Sequence, residues 1–541
     1  MRNETLSILL SPSWIVLIIS VSGSVVLLLW QYFQKPALVL VRGVPVMGKP
    51  DDASFEKAVR DGDETVSHIF SIKHECDALT AKQYPEGVYQ IALPTMPHVF
   101  FPPKAMKELY SSTSASFAAH TADILLGKYT YQGEENVELK AGIRAMSNNL
   151  DVVIRSFEAD VPYAFETVFG NCDDWVTVDQ IWPATFRLAA IMSSRPFLGK
   201  ELSREPKWFA AMTDYVQSLS SAVGSLRPVP AIVRFFFESR IPRIRNLVKA
   251  RDRMEDLMLP VVQEHLDRYL ATGRDSKSRR TAAISSDGGE LLDWMIPEYP
   301  NPSAKKLARD EITIILESVM NISGGLSHSL FNIAKYSEYQ TPLWEEYEEV
   351  MQTTKGLSKA ALFNMKKMDS FMKEVHRLNP PSMSKFTNGL TGIFLDLLKI
   401  IVAIMRKVVN PNGMQLSVGP RIPCGTLCAV SADRVNMSPE FYPEPHKFDG
   451  YRFYRMRQQP GEEFRHQLVS TSNAEINFSF GGRACPGRIF FSALEKVVLA
   501  YLLTHYDIRV KPGHEEVESR YIDGIRVVID PRAIIQIKKK C

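Results

Sequence analysis

Residues 476–491, INFSFGGRACPGRIFF, hold a single thiol in a glycine-lined turn at the mouth of a helix. Phe478 and Phe480 lead into Gly481-Gly482. Arg483 follows, and Cys485-Pro486-Gly487 opens onto an apolar pattern of helical period. Gly481, Gly482 and Gly487 carry no side chain, so a bulky flat partner can approach the backbone closely. A helix dipole and a neighbouring guanidinium both favour thiolate over thiol, so the turn predicts a Cys485 that titrates low. A lone cysteine at a helix start is otherwise an ordinary packing residue. The spacing of its neighbours decides between the two.

Phe478-x-x-Gly481-x-Arg483-x-Cys485-x-Gly487 resembles the haem-binding loop of the cytochrome P-450 monooxygenases. The resemblance implies that the Cys485 thiolate is the axial ligand of a haem iron and that Arg483 contacts a haem propionate. Phe478, Gly481 and Gly487 complete the cofactor-binding loop on the same grounds. Two upstream segments match in the same order. FMKEVHRLNPP contains Glu374-x-x-Arg377, which share a helix face at i and i+3; alone, such a pair is surface chemistry worth a fraction of a kcal/mol. PEPHKFDGYRF supplies Arg452 in a segment similar to the family's Pro-x-x-Phe-x-x-x-Arg-Phe pattern. The implied triad of Glu374, Arg377 and Arg452 is structural and locks the region that presents the cysteine loop. The resemblance covers nearly the whole chain and is closest to fungal microsomal members. It implies a mainly α fold with minor β sheets. The family's tryptophan-x-x-x-arginine motif for the haem propionates is not evident between Gln132 and Phe169, so that side of the cofactor has no assigned contact.

The same resemblance implies haem b as cofactor and NADPH–cytochrome P-450 reductase as the electron source, and the chain carries no flavin or nicotinamide fingerprint of its own. A thiolate ligand donates electron density through iron and favours O–O cleavage. The distal helix, RDEITIILESVMNISGGLSHSLFNIAKYSEYQTP, departs from the family. Most members carry a small residue, an acid and a threonine there. Counted back from SEY, the acid–threonine pair falls on Met320 and Asn321. Neither Met320 nor Ile322 relays a proton, whereas Asn321 hydrogen-bonds oxygen or an ordered water. Asn321 is therefore assigned the oxygen- or proton-relay position. A register one turn earlier offers Glu317-Ser318, an acid and an alcohol, but needs a gap in a continuous helix. Three functions stay open: a monooxygenase of a lipophilic terpenoid, polyketide or indole-type natural product, a haem-thiolate isomerase or dehydratase that needs no reductase, and a non-catalytic haem protein.

From Thr5 to Gln34 there is no charged residue, and SWIVLIISVSGSVVLLLW (Ser13 to Trp30) is almost wholly apolar. About 20 helical residues cross a bilayer core, so residues 1–34 read as a transmembrane anchor. Lys35, Arg42 and Lys49 follow the span, while Glu4 offsets Arg2 before it. The positive-inside rule then places the rest in the cytosol, on the endoplasmic reticulum membrane by the microsomal resemblance. Residues 35–51 read as a proline-rich linker and 52–541 as the haem-thiolate domain. Six cysteines in 541 residues do not make a disulfide framework. A net charge of +3 with no basic–aromatic stripe argues against a nucleic-acid partner. Helical periodicity marks Asn246–Tyr269, Ala304–Tyr336 and Pro342–Met351. GVYQIAL, VFFPP, IRVVID and AIIQIKKK read as strands, and Gly273–Glu290 as a solvated loop. TNGLTGIFLDLLKIIVAI, Thr387 to Ile404, interrupts flanks that connect closely in the resembled family; it reads as an extra membrane-facing helix or as a retained intron.

Overall fold

A computed structural model describes residues 41–44, 87–91, 98–226, 240–271, 290–380, 405–430, 432–479, 481–517, 520–522 and 526–540. The anchor, most of the linker, the polar loop up to residue 289 and the 387–404 segment lie outside those residues. Among the described residues, no helix is long and apolar enough to cross a membrane.

In chain order, β1 (Tyr89–Ile91) and β2 (His98–Phe101) lead to α1 (Met106–Ser111), β3 (Ala115–Ser116), α2 (Phe117–Ile124), α3 (Val137–Asn148) and α4 (Leu150–Phe169). Then come β4 (Val176–Val178), α5 (Ile181–Arg204), α6 (Pro206–Leu226), α7 (Pro242–Ala271), α8 (Leu291–Met295) and α9 (Ala304–Lys335). α10 (Gln340–Thr354) and α11 (Lys366–Leu378) precede β5 (Arg406–Val408), β6 (Leu427–Val430), α12 (Ala432–Asn436), α13 (Arg452–Arg457) and α14 (Arg488–His505). The chain closes with β7 (Tyr506–Val510), β8 (Arg520–Ile522), β9 (Arg526–Val528) and β10 (Ile535–Lys539). The periodic segments read from the sequence are thus helices, two with slightly wider bounds and Ala304–Lys335 one residue shorter, and the four strand-like pieces contribute β1, β2, β9 and β10.

The organising element is α9. Ser303 caps it by accepting from the Lys306 N–H at 3.4 Å, and its 32 residues make a rod about 48 Å long at 1.5 Å per residue. From Val319 to Ala334 nearly every side chain is buried, which marks a helix through the middle of a domain rather than one lying on its surface. α5 packs along it, with α7, α11 and α14 around it. α5 bends at Gly199, whose φ of 75° is left-handed and whose missing Cβ would meet Glu290 Oε1 at 2.5 Å. These helices share one large apolar core.

A second, smaller core sits under the mixed sheet, whose strand order is β1-β2-β6-β5-β3. β2 and β6 run parallel and the other neighbours antiparallel. β5 follows directly on the 387–404 segment and pairs with both β6 and β3. The antiparallel sheet β4-β10-β7 and the hairpin β8-β9 complete the β content. The architecture is mainly helical with minor sheets.

Candidate active site

α11 is amphipathic by pattern but buried along most of its length, charged residues included. Glu374 is fully buried and accepts Arg377 Nε and Nη2, both at 2.8 Å. Arg452 Nε reaches the same carboxylate at 3.1 and 3.2 Å, and the Asp449 N–H donates to it at 3.1 Å. The remaining guanidinium N–H groups go to backbone carbonyls: Arg377 to Asn436 and Pro445, Arg452 to Pro443, Glu444 and Lys447. Two cations on one carboxylate, with their other protons satisfied by carbonyls, is the arrangement that makes a buried charge network tolerable.

The network reaches the cysteine turn through two amides. Arg377 fixes the Asn436 carbonyl at 2.6 Å, Asn436 Nδ2 donates to Asn477 Oδ1 at 3.1 Å, and Asn477 Nδ2 donates to the His376 carbonyl at 2.9 Å. Asn477 precedes Phe478, which packs edge-on to Phe491. The Cys485 N–H donates to the Phe478 carbonyl at 2.8 Å, closing the turn. Gly481 adopts a φ of 61°, so a residue with a Cβ would be strained there. A Cβ on Gly487 would sit at ordinary contact, 3.9 Å from the Cys485 sulfur.

The turn departs from the sequence expectation in its electrostatics. Burial pushes the Cys485 thiol up, and this outweighs the N–H groups of Gly487 and Arg488, which pull it down. The cation acting on the thiol is Arg488, whose Nη1 donates to the Cys485 carbonyl at 2.8 Å. Arg483 is exposed and its charge acts on Arg406 instead. The Cys485 residue itself is exposed.

A second ion pair braces the loop from below. Lys373 Nζ bonds Glu475 Oε1, and donates to the Gln467 carbonyl at 2.8 Å, while the His466 ring lies 3.1 Å from the same carboxylate. Burial alone would raise Glu475, but the Lys373 ammonium and His466 overrule it and hold the carboxyl at about 2. Burial lowers Lys373 itself, which cancels part of the gain. A carboxylate depressed below its unfolded value of about 4.3 stabilises the fold above that pH and ceases to do so as pH falls toward 2, on the order of 3 kcal/mol at most. Glu475→Gln is therefore expected to flatten the acid limb of a stability–pH profile between about pH 4 and 2, measured by urea denaturation. An unchanged acid limb would refute it.

Whether a haem fits is tested by the buried polar groups on the elements near the turn. Arg406, on β5, is 1% exposed, and its Nε and Nη1 have no hydrogen-bond partner. His120, on α2, is 2% exposed, and both its ring nitrogens lack a partner. β5 packs against α2 and pairs with β3 immediately before it. Burial and the neighbouring Lys407 lower His120 to about 4, so it is a neutral donor; burial and Arg483 lower Arg406 to about 10. Buried donors left unpaired are costly, and Arg406 lies within electrostatic reach of Arg483. The set suits the carboxylates of a haem. Neither His120 nor Arg406 was found from the sequence, although the inward-facing charge in MRKVV, at a strand position where an apolar residue is the norm, is a signal that could have found Arg406.

On α9, Glu317, Asn321 and Gly325 lie four residues apart and share one face. At Gly325 that face meets α14 so closely that a Cβ would stand 2.6 Å from Phe491 Cζ. Asn321 Nδ2 donates to the Glu317 carbonyl at 2.8 Å, leaving Oδ1 to accept. Met320 is buried on another side. Behind the turn, Glu495 on α14 joins Ser329 of α9 at 2.5 Å and His376 of α11 at 2.9 Å, tying three helices together.

The family described as Cytochrome P450 matches residues 183–387 and 397–534. The cytochrome P450 monooxygenase ataF of Aspergillus terreus is 34% identical over 460 residues, 84% of this chain and 87% of that protein. The cytochrome P450 monooxygenase gliF of Aspergillus fumigatus is 30% identical, over 96% of this chain and 97% of that protein. The pyrichalasin C-18 hydroxylase of Pyricularia grisea is 28% identical, over 82% and 79%. Among solved structures, the retinoic acid-bound cyanobacterial CYP120A1 superposes with a TM-score of 0.60 over 86% of this chain and 94% of that one; its 17% identity bears on the fold alone.

Proposed function

The chain belongs to the cytochrome P450 family, and from that membership we propose that it is a membrane-anchored monooxygenase oxidising a lipophilic terpenoid, polyketide or indole-type natural product in a biosynthetic pathway. The observation that carries the reading is the accessible Cys485 residue, with Arg406, whose Nε and Nη1 are unpartnered, within electrostatic reach of Arg483 on the same loop. Haem b bound there would supply the oxidation, with one atom of O2 entering the substrate and the other leaving as water. Cys485 would hold the iron, and His120, Arg406 and Arg483 the two carboxylates. Phe478 and Gly481 shape the loop, and the Glu374–Arg377–Arg452 network holds it rigid through Asn436 and Asn477. NADPH–cytochrome P-450 reductase supplies the electrons, and residues 1–34 hold both partners and substrate at the endoplasmic reticulum membrane. Deleting the gene and profiling the lost and accumulated metabolites tests the pathway role. Loss of membrane pelleting on removal of residues 1–34 tests the anchor, and an unchanged distribution would refute it.

Asn321 is the position that orders oxygen or a water, through the free Oδ1. Asn321→Ala is expected to raise severalfold the share of NADPH electrons released as hydrogen peroxide; unchanged coupling would remove Asn321 from the relay. One observation favours a second reading. Met320 at the usual acid position and the amide of Asn321 at the usual alcohol position leave the pair without an acid or a hydroxyl, as an isomerase or dehydratase needing no reductase would tolerate. Turnover without NADPH would select that reading. A haem-thiolate spectrum with no turnover of any candidate would select a non-catalytic haem protein.

A further inference from the structure

We propose that one internal water occupies a small cavity beside Asn477 and Phe478, where the chain enters the cysteine turn, and joins the two charged braces there into a single network. The cavity measures about 20 Å³ and lies between the Lys373–Glu475 ion pair and the Asn436 and Asn477 amides, with Ser470 also on its wall. A single water needs about 10–15 Å³ of room and two to four polar partners. Cavities of this kind stay dry when their walls are apolar, whereas this one presents charge, hydroxyl and amide.

The polar atoms on the wall are each one partner short. The Lys373 ammonium has three protons. Glu475 Oε1 takes one and the Gln467 carbonyl a second, at 2.8 Å, while the third has only the Phe453 ring, 4.5 Å from Nζ. Glu475 Oε1 also meets the His466 ring at 3.1 Å, whereas Oε2 accepts from no group among the described residues. Ser470 Oγ accepts from the Gln467 N–H at 3.1 Å, and its own proton reaches no acceptor among those residues. Asn477 Oδ1 accepts from Asn436 Nδ2 at 3.1 Å and keeps its second lone pair. The Lys373 and Glu475 side chains are only 7% and 8% exposed, and polar atoms left unpaired at such depth are costly. One water would accept from Lys373 or Ser470 and donate to Glu475 Oε2 and Asn477 Oδ1. The Glu374–Arg377 network already restrains Asn477 through Asn436. With the water in place, the Lys373–Glu475 pair would hold the same residue from the other side.

The test is a high-resolution crystal structure of the haem-loaded full chain, together with urea denaturation and haem loss of Ser470→Ala and Ser470→Val. A density peak is expected within about 2.7–3.2 Å of Lys373 Nζ, Glu475 Oε2 and Asn477 Oδ1. An empty cavity between well-ordered side chains overturns the proposal, even if neither variant folds. Both variants remove the Ser470 hydroxyl, but only valine takes up the room. Ser470→Ala is expected to keep the peak and to stay near the wild-type urea midpoint. Ser470→Val is expected to expel the water, lower the midpoint and speed haem loss about tenfold, because Glu475 and Asn477 lose a partner together. A Ser470→Val protein at least as stable as Ser470→Ala marks a dry void that valine fills, and overturns the proposal as well. Failure of the haem-ligand reading is told apart, because it shows as a missing thiolate band with carbon monoxide in the wild type.

Discussion

Cys485→Ala is expected to abolish the thiolate-type carbon monoxide band and all turnover while leaving the polypeptide folded. The Cys485 residue is exposed rather than packed in the core, and the N–H groups of Gly487 and Arg488, at the open end of α14, favour its thiolate. Removing it creates no new void in the apolar core, and substitutions of that kind change stability by about 0.5 kcal/mol or less. Denaturation of the haem-free variant should therefore track that of haem-free wild type, while the visible spectrum and product formation disappear. The paired measurement matters, because a variant that loses activity by unfolding says nothing about ligation. A Cys485→Ala protein that keeps its native haem band and turnover would end the haem-thiolate reading.

Glu374→Ala is expected to do the opposite, taking function away through the fold. Arg377 and Arg452 would remain buried with no counter-charge, and the Asp449 N–H would lose its acceptor. Breaking one partner out of such a network costs about 3–5 kcal/mol, a large fraction of a domain's net stability. The first visible consequence should be loss of haem, because Arg377 holds the Asn436 carbonyl, and Asn436 and Asn477 carry that restraint to the turn. Glu374→Gln keeps the volume and one acceptor oxygen and should fall between. Haem content per polypeptide and the urea midpoint check the order. A Glu374→Ala protein within about 1 kcal/mol of wild type would show that the network is not the brace described here.

The long helices and the cysteine turn were legible because their signals are local. A 3.6-residue apolar period and a fixed run of Phe, Gly, Arg and Cys are properties of neighbouring residues, and backbone geometry converts them directly into structure. That is why α7, α9 and α10 lie within a few residues of where their patterns place them. The same locality misled the reading of the turn. Arg483 is adjacent in sequence, but Arg488 is the cation that acts on Cys485, and burial rather than the helix dipole dominates the free thiol. Likewise Glu374-x-x-Arg377 has the spacing of an ordinary surface pair. Only the packing of α11 beneath the segment around Asp449 and Arg452 makes it a buried network.

By itself, then, the sequence determined the elements, the order of the three motifs and the identity of the iron-binding candidate, because each is encoded within a dozen consecutive residues. Tertiary structure alone decided which distant groups are buried near one another. Arg406 and His120 sit unpartnered on β5 and α2, two elements that pack together. Asn321 shares a face of α9 with Gly325, whose close contact with Phe491 sets the rotation of α9 against α14. Such encounters depend on how distant segments fill a common volume and are desolvated there, and neither distance nor desolvation is written into local spacing.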